Sequence, residues 1–319
     1  MKFIPPVLLI PIVLIFSSCI EFEGQNLTYY HDEEKDEIRI TLKYLGIFGN
    51  LCKRQNAQNN SGDIATGDRL NQKQIEQLVS VLDQKRAFFF SNWIFEFSPK
   101  LLAQMLDDQN ERSKDHRFGK AEIDLIQNLI INGELNNIGF YSGTKDKVCG
   151  AQTLRIQNLS AILTLANKVI KRQIIARISE WKKDLSSKKL STTPDEEVIQ
   201  LLEKKMATPY TFIKIEGNLV TLQFPSTFVW GGREFHSDPE MMAQSVSNDL
   251  PSGANVSMKD GDFIIKIGTQ NGETGKLQKK CFNGYSPNAK NYLKEEYKSL
   301  FMSQKKVEKK LQNFLAGRN

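Results

Sequence analysis

Histidines, cysteines and clustered carboxylates are the side chains that could serve as bases, nucleophiles or metal ligands. The chain has three histidines, His31, His116 and His236, far apart in sequence. Its four cysteines are Cys19, Cys52, Cys149 and Cys281. No CxxC occurs and no Cys/His spacing suits zinc, so no metal site is expected. The acidic run DEEKDE, residues 32–37, has the composition of a calcium loop without its pattern. Counting from Asp32, Glu37 and Lys43 stand at the sixth and twelfth positions, where an EF-hand needs Gly and Glu. The run therefore reads as a polar turn. GxSxG, HExxH and GxxxxGK[ST] are all absent. The most site-like stretch is VWGGREFHSDPEM, residues 229–241, which sets Arg233, Glu234, His236, Ser237 and Asp238 beside Gly231 and Gly232. Triad members must converge side by side, which neighbours in one segment rarely do. Ser237 or Asp238 ahead of Pro239 also suits a helix cap. No catalytic, cofactor-binding or metal residue is assigned, and an enzyme is the less expected reading.

Cys19 has a different context. An apolar run, FIPPVLLIPIVLIF, extends from Phe3 to Phe16 behind Lys2. It is too short for a comfortable membrane span, which takes about 20 residues. Pro5, Pro6 and Pro11 also make it a poor helix. Its length and flanks fit the apolar region of a secretory signal. The four residues Phe16, Ser17, Ser18 and Cys19 then resemble the lipobox of bacterial lipoproteins, with Phe16 where leucine is commonest. That resemblance implies a thioether from the Cys19 thiol to diacylglycerol, cleavage just ahead of Cys19, and a three-chain lipid anchor. The other readings of this segment are ordinary cleavage near Ser18 and a retained membrane anchor. With Cys19 lipidated, Cys52, Cys149 and Cys281 remain, either unpaired and buried or forming one disulfide. The stretches HDEEKDEIRI and KVCGAQTLRIQNLS also resemble lipoproteins of planctomycete-like bacteria. This second resemblance implies an envelope location and supplies no site residues.

The 319 residues are 40% hydrophobic and 25% charged, the balance of a globular protein with a true core. A net charge of +6 is mild and carries no nucleic-acid motif, so no nucleic-acid partner is expected. Leu27–His31 and Ile38–Leu45 read as a hairpin around DEEKDE. Residues 49–69 read as a loop and 71–85 as a helix. FFFSNWIFEF, residues 88–97, holds six aromatic residues, with Trp93, Phe95 and Phe97 alternating. It reads as a core strand rather than a stacking platform. Residues 107–120 read as a connector and 120–131 as a helix. Asn137–Tyr141 and Val148–Ile156 read as paired strands, and residues 158–185 as a long amphipathic helix. Further on come a helix from Pro194, the hairpin TFIKIEGNLVTLQF, a short helix near Pro239–Asn248, the strand GDFIIKIG and a final lysine-rich helix from about Pro287 to Leu315.

This pattern predicts an α+β fold of short antiparallel sheets and amphipathic helices, arranged as two similar modules. The expected division is a signal peptide at 1–18, a lipid-anchored module at 19–185, a linker at 186–197 and a second module at 198–319. The expected function is that of a membrane-anchored envelope lipoprotein that binds a protein or polymer partner. An envelope hydrolase of unrecognised type and a scaffold subunit of an envelope complex are the alternatives.

Overall fold

The computed structural model describes residues 20–49, 85–89, 96–108, 118–143, 147–187, 196–226, 250–270, 274–280 and 301–318. The expectations for Cys19, Cys52, Cys281, His116, His236, the 71–84 helix, Trp93, Phe95, the 229–241 segment and the Pro239–Asn248 helix lie outside these residues.

The fold is α+β. Strands β1 (Ile20–Asp32) and β2 (Glu37–Gly49) form a long antiparallel hairpin that closes at the pair Asp32 and Glu37. Alternation explains β2. Ile38, Leu42 and Tyr44 enter the main core, while Arg39, Thr41 and Lys43 point to the opposite face. Asp36 takes the left-handed conformation in the turn (φ 49°), which Asp tolerates better than most residues.

This hairpin lies inside a six-stranded sheet. Strand β6 (Val148–Gln157) pairs with β2, and β5 (Gly133–Ser142) pairs with β6. The edges are β11 (Gly275–Lys280) beside β1, and β12 (Phe301–Met302), which runs parallel to β5. A second sheet has the order β7 (Ile213–Glu216), β8 (Asn218–Pro225), β10 (Asp262–Thr269), β9 (Ala254–Lys259). The aromatic run contributes a short pair, β3 (Ala87–Phe88) and β4 (Glu96–Phe97). Phe88 and Phe97 pack against the main core.

Helix α1 (Pro99–Asp107) begins with Ser98, whose hydroxyl accepts from the Leu101 amide, and Pro99 occupies its first turn. Helix α2 (Lys120–Asn132) matches its expected span. Helix α3 (Leu159–Ser187) has 29 residues, about 43 Å at 1.5 Å per residue. Its first half packs Ile162 and Val169 on Ala121 and Leu125 of α2. Its second half packs Ile174, Ile178 and Trp181 on α4 (Glu196–Ala207) and on Phe212, Phe224 and Phe263 of the second-sheet region. Asn167 marks the change. Its side-chain oxygen accepts from the amides of Phe212 (2.6 Å) and Ile213 (2.9 Å), and its amide donates to Ile213 O (2.9 Å). One polar side chain thus pins the start of β7 to the helix.

The final helix was expected to run from about Pro287; residues 287–300 lie outside the described ones, and the described part is interrupted at Phe301–Met302. Phe301–Met302 is a strand, and α5 (Gln304–Leu315) starts only after Ser303. Ser303 is extended, and its hydroxyl accepts from the Lys306 amide, so it caps α5. Pairing of Phe301 and Met302 with β5 takes backbone that a continuous helix would have used. Helix α5 covers the outer face of the six-stranded sheet, seating Val307 and Leu311 on Tyr141, Cys149 and Ala151. The chain after α3 therefore supplies α4, which starts at Glu196 within the expected linker, and the second sheet, then returns β11, β12 and α5 to the first.

Candidate ligand groove at the hairpin tips

The acidic β1–β2 turn meets the β7–β8 turn, and three contacts join them. The His31 amide donates to Asn218 Oδ1 (2.7 Å). His31 Nδ1 lies 2.9 Å from Gly217 O, and a carbonyl only accepts, so this nitrogen carries the proton. The Gly217 amide donates to Glu33 Oε1 (2.7 Å). Gly217 is required here, since its φ is 53° and a Cβ would stand 2.8 Å from Gln270 O.

Beside these contacts Tyr29 reaches from the first sheet into the second. Its hydroxyl lies 2.9 Å from Asn218 O and 2.8 Å from Ile267 O. Gly268 and Gly275 form its slot, because a Cβ at either would collide with the tyrosine. Burial pushes the Tyr29 hydroxyl up from 10.0 to about 12, outweighing a backbone hydrogen bond that lowers it.

The two turns frame an open groove of about 650 Å³. Asp32, Glu33, Glu34 and Glu216 line it against one lysine, Lys35, with His31 and Asn218 at the join. Most of these carboxylates also have structural work. Asp32 accepts from buried Arg39 (2.7 Å), and Glu216 pairs with Lys214 (2.6 Å). Asp36, next to the groove, accepts from the Ser160 amide (2.9 Å) and hydroxyl (2.6 Å), capping α3 from another segment. The turn read as plain polar is thus the junction of the first sheet, the second sheet and α3.

Arg39 underlies this junction and is only 2% exposed. It bonds Asp32, pairs with Glu37 (Nε to Oε1, 3.4 Å) and stacks 5.0 Å from the Tyr30 ring centroid. Arg155 continues the array to Glu134 (3.6 Å) and lies over Phe314 (5.6 Å). The Arg39 Nε and Nη1 and the Arg155 Nε make no hydrogen bond. Such an array is costly to desolvate, so its ion pairs are no measure of stability.

The other chemically able groups are placed for structure. Cys149 is free and buried, and burial pushes its thiol above its ordinary value. Its neighbour Tyr141 is pushed up by burial and then by Cys149 and Glu308. Asp262, 3% exposed, accepts from Lys205 and from Gln223 Nε2 (2.6 Å). Burial and then Asp262 push the adjacent Tyr210 hydroxyl up. Among the described residues, no group of three or more His, Cys, Asp and Glu is placed to hold a metal. No described helix is long and apolar enough to cross a membrane.

Of the residues singled out in the sequence, the structure brings His31 and the 32–37 turn together at the groove. The partner turn, Glu216 to Asn218, was readable as a turn but not as their contact. Its signal is Asn218, a polar residue 2% exposed directly after Gly217. Comparison of the chain with known protein families, curated proteins and solved structures gives no match.

Proposed function

We propose that this protein is an exported lipoprotein of a bacterial cell envelope, held by lipid on Cys19, that binds a partner at the end remote from the anchor. One observation supports this most. Strand β1 starts at Ile20, the residue after Cys19, and its thirteenth residue, Asp32, lies at the groove. A lipid at Cys19 would hold the sheet by one end with no slack linker. The groove would stand about 40 Å along the strand from it, at 3.3 Å per residue. Three acyl chains would make that anchor durable, at about 0.8 kcal/mol per buried CH₂. Even with Arg39 paired to Asp32 and Lys214 to Glu216, the four groove carboxylates outnumber the cations, which favours a partner with a basic group.

Radiolabelled palmitate feeding of cells expressing the wild type or Cys19→Ala tests the anchor. Label in the wild type alone is the expected result, and label in neither would remove the anchor from the proposal. Crosslinking in intact cells, comparing wild type with Glu34→Lys/Glu216→Lys, tests the groove. The double variant should lose the partner's crosslink, and an unchanged crosslink pattern would move the partner elsewhere.

A further inference from the structure

Resting on the groove reading above, we propose that the group it takes is one lysine or arginine carried on an extended peptide, with the peptide's main chain recognised as well as its charge. The charge count sets the number of cations. Asp32 is held by Arg39 and Lys35, and Glu216 by Lys214. The Glu33 carboxylate accepts from the Gly217 amide, which brings no charge, and Glu34 is exposed with no partner among the described residues. Four carboxylates against Arg39, Lys35 and Lys214 leave a place for one further cation, at Glu33 and Glu34. These acids are not placed to hold a metal ion, so the cation that fits is organic.

The main chain of the ligand meets an unfinished strand edge. Strand β11 accompanies β1 only as far as the pair Tyr29 and Gly275, and Tyr30, His31 and Asp32 continue past it along the groove. At this edge the His31 amide is already taken, by Asn218 Oδ1 at 2.7 Å. A residue in an antiparallel strand sends its amide and carbonyl to the same side, so the His31 carbonyl faces the same gap. The bond from His31 also fixes the Asn218 side chain, because only its oxygen can accept an N–H. Its Nδ2 makes no hydrogen bond among the described residues and is not sealed from solvent as the idle Arg39 nitrogens are. Asn218 is 2% exposed and lines the groove, so the groove is where Nδ2 opens. An acidic groove alone would attract any cation. A fixed, nearly buried donor among acids is idle toward a bare amine and is satisfied only by a ligand that brings an acceptor with its charge. A peptide unit brings both parts, a carbonyl for Asn218 Nδ2 and an N–H for the His31 carbonyl.

Saturation-transfer NMR titrations on the full-length protein test this with four probes: acetyl-alanyl-lysyl-alanine amide, its norleucyl counterpart, n-butylamine and spermidine. The lysyl peptide should bind about fivefold tighter than butylamine, the worth of one added hydrogen bond. The norleucyl peptide should show no measurable binding, and Glu34→Gln should weaken every cationic probe. Asn218→Asp keeps the oxygen that accepts from His31 and removes the donor. It should bring the lysyl peptide down to the level of butylamine, although it adds negative charge, with circular dichroism checking that the variant is folded. If that variant does not fold, the comparison of peptide with butylamine on the wild type decides alone. An Asn218→Asp variant that tightens the peptide as much as butylamine would overturn the main-chain contact. Butylamine or spermidine matching the peptide on the wild type, with all of them weakened by Glu34→Gln, would overturn the peptide and leave the preference for a basic group standing. Binding unchanged by Glu34→Gln, or no binding by any probe, would overturn both.

Discussion

Replacing Tyr29 by phenylalanine isolates the link between the two sheets. The ring stays in its glycine slot, and only the hydroxyl at 2.9 Å from Asn218 O and 2.8 Å from Ile267 O is lost. Tyr29 is 3% exposed, so water does not readily replace it. The expected destabilisation is about 1–3 kcal/mol, the cost of leaving buried acceptors without their donor. A pH signature accompanies it. The folded-state value is raised from 10.0 to about 12, so this group's contribution is full below pH 10 and is lost as pH climbs to 12. The wild type should therefore lose stability faster than Tyr29→Phe across that window, and the gap between them should narrow. The variant keeps some alkaline loss, because burial also pushes Tyr141 and Tyr210 up. Urea unfolding at neutral pH and at steps through the alkaline range measures both effects, with an unchanged m-value as the control. A neutral-pH difference below about 0.5 kcal/mol, the range of an ordinary surface change, would refute the link. So would a gap that widens as pH rises.

Leu202→Ala should cost about 2–5 kcal/mol in denaturant unfolding, since Leu202 is fully buried between α3, α4 and the second sheet. Asp262→Ala should cost about 3 kcal/mol, the low end for a broken buried pair, because Lys205 keeps some access to water. A loss under 1 kcal/mol would show that Lys205 and Gln223 find other partners. Cys149 should resist iodoacetamide in the folded protein at neutral pH and react on unfolding, as peptide mapping would show, because only the thiolate attacks and burial disfavours it. Folded-state alkylation at the rate of an open thiol would contradict the packing of α5 over it.

The elements most readable from sequence are those whose partners are near in the chain. The β1–β2, β5–β6 and β7–β8 hairpins each join neighbouring segments with alternating apolar residues and a polar turn. Helix α3 declares itself by its long apolar stripe. Strand β11 is not readable this way. GKLQKK is half lysine, only Gly275 and Leu277 of it are buried, and it becomes a strand because the distant edge of β1 offers hydrogen bonds. ANVSMK of β9 is similar, a sheet edge defined by β10. Helix α1 had a readable start in Ser98 and Pro99, overshadowed by the aromatic run before it. The groove was half legible. The sequence displays its acidic turn, but the Asn218 partner to His31 comes from 187 residues away. No local pattern encodes that meeting, which follows from tertiary packing alone.

The placement of β11, β12 and α5 sets the order in which this chain can fold. Tyr29 near the start pairs with Gly275 near the end, and α5 seals the outer face only with the last residues. Closing so large a loop costs chain entropy before any contact repays it. High contact order of this kind slows folding. A growing chain can zip the β1–β2 hairpin early, but it cannot complete the first sheet until residues 275–302 are made. Removing residues 301–315 would leave Tyr141 and the Cys149 thiol without the cover of Val307 and Leu311.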